Sequence, residues 1–227
     1  SMSKTVLITG GYSGIGKSIG EYLTEKGFKV YGTSRSPEKY KNSKFPVVKL
    51  DVTHPSSILS CVDEVLKKTT KIDVLINNAG VGITGPMEEI PMTEVKNNFE
   101  TNLFGPIGMI NAVLPSMRSQ QSGLIINITS IAGYMGLPFR GVYSASKGAL
   151  ELITEAYRME LKAFGIQMTN IAPGDFSTNI AAGRYPAPLF DTSPYKETYG
   201  TTLETLNPPL DAGEDPKPLA QIVPVSE

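Results

Sequence analysis

Tyr143 and Lys147 stand four residues apart in Tyr143-Ser144-Ala145-Ser146-Lys147. On a helix that spacing puts both side chains on one face, one turn from each other. A free tyrosine titrates near pH ~10 and is a poor base at neutrality. A neighbouring ammonium stabilises the phenolate and lowers that value. A phenol tuned in this way can pass a proton to or from a carbonyl or alcohol oxygen. A surface Tyr beside a surface Lys has the same spacing, so the surrounding elements must decide between the two.

Those elements alternate. Thr5 to Thr9, Phe28 to Thr33, Val47 to Val52, Val74 to Asn77, Leu124 to Thr129 and Ile166 to Ala172 read as short apolar strands. Gly14 to Lys26, Ser56 to Lys68, Thr93 to Met117 and Gly141 to Phe164 read as helices, the third crossed by Gly105-Pro106 and Gly108. Strands alternating with helices of this length predict an α/β fold: a Rossmann-like, doubly wound parallel sheet with helices on both faces. One domain spanning residues 1–227 accommodates all of it. Pro173 to Glu227 holds nine of the 17 prolines and little periodicity. Residues 175–227 therefore read as an irregular substrate lid and tail.

The first strand runs into Thr9-Gly10-Gly11-Tyr12-Ser13-Gly14-Ile15-Gly16 and then a helix. Glycines let a backbone approach a pyrophosphate closely, and a helix N-terminus offers free N–H groups to that anion. The spacing is GxxxGxG, unlike the common GxGxxG fingerprint. The second strand ends in Thr33-Ser34-Arg35-Ser36, without the acidic residue that would hold a ribose 2′-hydroxyl. Arg35 can instead pair with a 2′-phosphate, which favours NADP over NAD. Lys39, Lys41 and Lys44 add positive charge there, or form a solvated face. Asp51-Val52 ends the third strand; Asp51 either receives an adenine amino group or caps a turn. Asn77-Asn78-Ala79-Gly80 ends the fourth, where two buried amides need partners and are expected to tie neighbouring strands together beneath the cofactor.

In this order and spacing the motifs resemble the short-chain dehydrogenase/reductase family, over roughly residues 4 to 180. The resemblance rests on Thr9 to Gly16, Asn77 to Gly80, Asn102 in Asn-Leu-Phe-Gly, Ser130 after Ile-Asn-Ile-Thr, Tyr143 to Lys147, and Pro173-Gly174. It implies that Tyr143 is the general acid/base and that Ser130 holds the substrate oxygen. Lys147 would lower the Tyr143 pKa and bind the nicotinamide ribose, and Asn102 would position a water leading protons to that lysine. Pro173-Gly174 would shape the nicotinamide pocket, with Thr178 reaching the carboxamide or pyrophosphate. The stretch Tyr134 to Phe139 is similar to that of 17β-hydroxysteroid and retinol-type enzymes. It suggests an apolar carbonyl or alcohol substrate, with Met135, Leu137, Phe139, Ile83 and Met87 lining its pocket or merely packing a loop. A homodimer or homotetramer is what the family suggests. NAD-linked turnover of a polar or acyl substrate, and a catalytically silent nucleotide sensor, are the competing readings.

Bulk properties narrow the field further. A net charge of -1 and a pI near 6.0 argue against nucleic acid as the main partner. The single Cys61 cannot form an internal disulfide, which fits a reducing cytoplasm. His54 alone, without a cysteine cluster, predicts no metal site. No apolar run approaches the ~18 residues of a membrane span, and the early glycines argue against a signal peptide. Ser1 before Met2 reads as a cloning remnant. Asp211 to Glu227 is too short and too proline-rich to supply the helix and strand that the family usually places after the lid, so either the C-terminus is natively short or the sequence is incomplete there.

Overall fold

A computed structural model describes residues 3–130, 135–173 and 185–206. The elements run in chain order β1 (Thr5–Ile8), α1 (Gly14–Glu25), β2 (Lys29–Ser34), β3 (Val47–Lys49), α2 (Pro55–Thr69), β4 (Val74–Asn77) and β5 (Ile83–Thr84). They continue with α3 (Met92–Phe99), α4 (Gly105–Gln120), β6 (Gly123–Ile128), α5 (Gly141–Leu161), β7 (Ile166–Ile171), β8 (Tyr185–Pro186) and α6 (Lys196–Leu206). Six strands form one parallel sheet in the order β3-β2-β1-β4-β6-β7. β5 and β8 make a separate two-stranded ladder.

Alternation along β1 sorts the core onto two faces. Leu7 points to one face, where Ile58, Val62 and Val65 of α2 meet Met109, Ile110 and Val113 of α4. Val6 and Ile8 point to the other, against Ile15, Ile19 and Leu23 of α1. The doubly wound sheet with helices on both faces is therefore the observed fold. Chain direction across the sheet reverses between β1 and β4, and ligands of open α/β sheets bind at that switch point, at the carboxyl ends of the strands. All the chemistry-bearing motifs end there.

Two local features depart from the sequence reading. Glu100–Phe104 forms a π turn joining α3 to α4 into one continuous helical rod. Pro106 has no N–H to offer the Asn102 carbonyl four residues back, and the backbone widens at that point. Within the stretch expected to be irregular, Lys196–Leu206 is a helix. Tyr199 and Leu203 dock it against Ile83, Ile90, Val142 and Ala187, so packing rather than propensity forms it. The remainder of residues 175–227, apart from 185–206, lies outside the described residues.

Candidate active site

The glycine turn is shaped by what lies against it. Gly10 and Gly14 adopt φ of 65° and 57°, a region that glycine enters without steric cost. An added Cβ at Gly16 would stand 2.4 Å from Asn78 Nδ2 and 2.8 Å from the Gly10 carbonyl oxygen. Thr9 Oγ1 accepts the Asn78 and Ala79 N–H groups, each at 3.0 Å. The Gly10 N–H donates to Thr33 Oγ1 at 3.0 Å, and Asn78 Nδ2 donates to the Gly10 carbonyl at 3.3 Å. The turn is thus bolted to β2 and to the loop after β4. The Ser13 side chain makes no cap bond to α1, which leaves the first-turn amides without a side-chain acceptor.

A cavity of about 270 Å³ runs from this turn across the switch point to Tyr143. Gly10, Tyr12, Ser13, Ile15, Ser34, Arg35, Asp51, Val52, Asn78, Ala79 and Gly80 line it, and Tyr143, Lys147 and Pro173 close its far end. Thr33, Leu50, Thr53, Val81, Gly82, Thr101, Ile128 and Thr129 also line it. Gly14 and Gly16 lie just outside the lining, at the root of α1. The donor set suits a dinucleotide: a narrow glycine cradle, uncapped helix amides, and a cationic side chain at the ribose end of β2.

Asp51 serves as a turn residue that also faces this cavity. Its Oδ1 accepts the Thr53 N–H at 3.0 Å and the Thr53 hydroxyl at 2.6 Å. Burial alone would raise its carboxyl, but the bonds from Thr53 and the nearby His54 and Arg35 outweigh that and hold it below the ordinary value.

The asparagines behave as strand ties. Asn77, Asn127 and Asn170 sit side by side in register on β4, β6 and β7. Asn77 Nδ2 donates to Asn127 Oδ1 and Asn127 Nδ2 to Thr154 Oγ1, each at 2.9 Å. The tie therefore continues from the sheet into α5, the helix that carries Tyr143 and Lys147.

At the far end of the cavity Tyr143 shares a hydrogen bond with Ser130, which does not itself line the cavity. Tyr143 is buried, and burial holds its phenol above the ordinary value; the bond with Ser130 and the charge of Arg140 oppose that without reversing it. The Lys147 ammonium is turned onto the Ile128 carbonyl at 3.2 Å and is itself buried, which pushes its pKa down to about 8.

Asn102 does not line the cavity. Its amide is taken at both ends by Val81, whose N–H donates to Oδ1 and whose carbonyl accepts from Nδ2, each at 2.8 Å. Gly80 lies between it and the lysine: an ideal Cβ there would be 3.3 Å from both Asn102 Oδ1 and Lys147 Nζ.

Of the proposed substrate pocket, Ile83 and Phe139 pack in one apolar cluster with Tyr143, while Met87, Met135 and Leu137 are exposed. Tyr134, Gly174 and Thr178 lie outside the described residues.

The sequence profile described as short chain dehydrogenase matches residues 4–188. The chain belongs to the short-chain dehydrogenase/reductase family. It is 44% identical over 179 residues to the 3-ketodihydrosphingosine reductase of Bacteroides thetaiotaomicron, covering 79% of this chain and 66% of that one. It is 34% identical over 218 residues to the NADPH-dependent 3-dehydrocapnine reductase of Ornithobacterium rhinotracheale, covering 90% of this chain and 76% of that one. The crystal structure of a short-chain dehydrogenase from Streptomyces avermitilis superposes with a TM-score of 0.87 at 31% identity, covering 98% of this chain and 83% of that one.

For a member of this family, the chain's supporting polar residues are as informative as its motifs. Asn98 Oδ1 accepts the Ser146 hydroxyl at 3.0 Å, and Asn98 Nδ2 donates to the Val81 carbonyl at 3.0 Å. Asn98 and Ser146 thereby brace the residues around Asn102 from α3 and α5. Both are buried polar side chains at element interiors, which is the signal that could have marked them in the sequence. Among the described residues no His/Cys/Asp/Glu group could hold a metal ion, and no helix is long and apolar enough to cross a membrane.

Proposed function

We propose that this short-chain dehydrogenase is an NADP(H)-linked oxidoreductase acting on a carbonyl or secondary alcohol of an apolar substrate. One observation carries the reading: Tyr143, hydrogen-bonded to Ser130, stands at the end of a glycine-cradled cavity, with Lys147 one helical turn behind. Gly10, Ser13, Ile15 and the first-turn amides of α1 would hold the pyrophosphate. Arg35 would pair with the 2′-phosphate, and Lys147 would bind the ribose beside the nicotinamide. Asn78, Ala79, Gly80 and Pro173, with Gly174 and Thr178, would complete the cofactor's walls. When bound, the cofactor supplies the hydride that reduces a carbonyl carbon.

Ser130 would hold the substrate oxygen by hydrogen bonding while Tyr143 protonates it. Two hydroxyls aimed at one oxygen stabilise the negative charge that develops there. A phenol held above its ordinary value stays protonated at neutrality, as a general acid must. A water between Asn102 and Lys147 would return the proton. Substrate class is read from the apolar cluster of Ile83, Phe139, Val142, Ala187 and Tyr199 that packs against Tyr143. A relative named for a 3-keto compound supports a long-chain ketone. Exposed Leu152 and Met159 on α5 support a homodimer or homotetramer that covers them. Cytoplasmic location belongs to the same proposal, on the single free Cys61.

Tyr143→Phe tests the assignment. Turnover of a ketone panel, followed by NADPH absorbance, should fall by about two to four orders of magnitude, the usual contribution of a general acid/base; unchanged turnover refutes it. The wild type should bind NADPH more tightly than NADH, and Arg35→Ala should erase most of that difference. Equal affinities in both proteins would refute the cofactor preference.

A further inference from the structure

Phe139 takes a φ of 64°, in the left-handed region that bulky residues avoid. Two donors fix its carbonyl: the Gly85 N–H at 2.8 Å and Thr84 Oγ1 at 3.0 Å. Its ring packs on Tyr199 at 5.3 Å and edge-on to Tyr195 at 6.2 Å. Such a backbone persists only where its surroundings over-determine it, and this clusters at functional sites. The next residue is Arg140, which opens α5 and places its guanidinium carbon 4.7 Å from the centre of the Tyr143 ring. Nothing in the mechanism above uses this arginine.

The geometry points to Arg140 as a positioning residue that acts through Tyr143: a second cation, on the face of the ring, favouring the phenolate. This rests on Tyr143 being the general acid/base. A cation over an aromatic face is attracted by the ring quadrupole. When the phenol ionises, the ring carries a full negative charge, so the same contact becomes worth more, and the proton equilibrium moves toward the phenolate.

The other groups around the ring leave room for this effect. Lys147 donates to the Ile128 carbonyl, and burial brings its pKa down to about 8, so its charge fades above that pH. A guanidinium keeps its charge throughout. Ser130 reaches the phenol by a hydrogen bond. From β5, β8, α3 and α6 the packed neighbours are Ile83, Ala187, Val95, Phe99 and Tyr199, whose hydroxyl donates to the Ala187 carbonyl at 2.7 Å. The carboxylates on that wall, Glu88 and Glu89, accept from Tyr195 and Ser193. Among the described residues no carboxylate pairs with Arg140.

The test is an ultraviolet titration of tyrosinate on the cofactor-free protein, in wild type, Arg140→Gln and Arg140→Lys. Subtracting the same titration of Tyr143→Phe isolates Tyr143 from the chain's 10 tyrosines. Arg140→Gln should raise the Tyr143 midpoint by about half to one pH unit, the size expected for a half-exposed charge at this range. Arg140→Lys should return it most of the way. The acidic limb of the kcat/KM profile for alcohol oxidation should move up by the same amount in Arg140→Gln. Superimposable wild-type and Arg140→Gln titrations overturn the inference, as does an equal displacement in Arg140→Lys. Retained turnover in Tyr143→Phe would instead overturn the acid/base reading, and the tyrosinate titration separates the two failures.

Discussion

Gly16 and Asn78 are fitted to each other: a Cβ on the glycine would stand 2.4 Å from the asparagine Nδ2. Asn78 in turn donates to the Gly10 carbonyl, so the bare glycine keeps the phosphate-side turn locked to the end of β4. Gly16→Ala should push Asn78 aside and open that turn. We expect dinucleotide affinity, measured by fluorescence titration, to fall by ~5- to ~150-fold, since overpacking of this kind costs ~1–3 kcal/mol. Gly20→Ala is the control. A Cβ there would strike the Phe45 ring at 2.6 Å, and neither residue lines the cavity. It should lower the melting temperature and leave dinucleotide affinity unchanged.

Lys147 couples stability to pH. Burial lowers its pKa from 10.5 to about 8 in the folded chain. Between those values the unfolded chain holds more protons than the folded one, so stability rises with pH. The gain is complete above 10.5 and is lost as pH falls through about 8. Urea unfolding across that window should show wild type gaining about 3 kcal/mol relative to Lys147→Met. A flat difference between the two proteins would show that the ammonium is solvated.

Asn127 stands between Asn77 and Thr154, bonded to both. Asn127→Ala leaves the Asn77 amide nitrogen buried without its acceptor. The expected cost is about 1–3 kcal/mol, with a lowered urea midpoint and an unchanged m-value.

Cys61 is 1% exposed, and burial pushes its thiol up to about 12. Thiolate is the reactive form. A thiol reagent should therefore modify the native protein no faster than it unfolds, and modify it rapidly in denaturant. Fast modification of the native state would place the side chain at the surface.

Much of this architecture was legible in the chain. The six strands of the sheet and the helices between them announced themselves because apolar runs and helical periods are local signals. The Asn77 tie was foreseen because a buried amide must find a partner, although Asn127 as that partner is 50 residues away and was not. α6 escaped notice because Lys196–Leu206 carries Gly200 and several threonines, poor helix formers, and forms by docking Tyr199 and Leu203. The π turn at Glu100–Phe104 was hidden because its cause, the missing N–H of Pro106, reads as a break rather than a widening. The bond from Lys147 to the Ile128 carbonyl was not legible, because spacing shows that Lys147 is near Tyr143 but not which way its ammonium turns. Arg140 was missed because its position depends on the left-handed Phe139, a conformation that no sequence pattern predicts for that residue.

The row of Asn77, Asn127 and Asn170 bears on how the sheet assembles. Strands made of Val, Ile and Leu are nearly interchangeable to a neighbour, and β4 against β6 could slide by two residues and still bury its oily side chains. Sliding would break the Asn77–Asn127 bond and leave both groups among hydrocarbon, at a penalty of about 1–3 kcal/mol. The asparagines thus act as an alignment key, accepting one docking of the central strands and rejecting its near copies before the cavity above them exists.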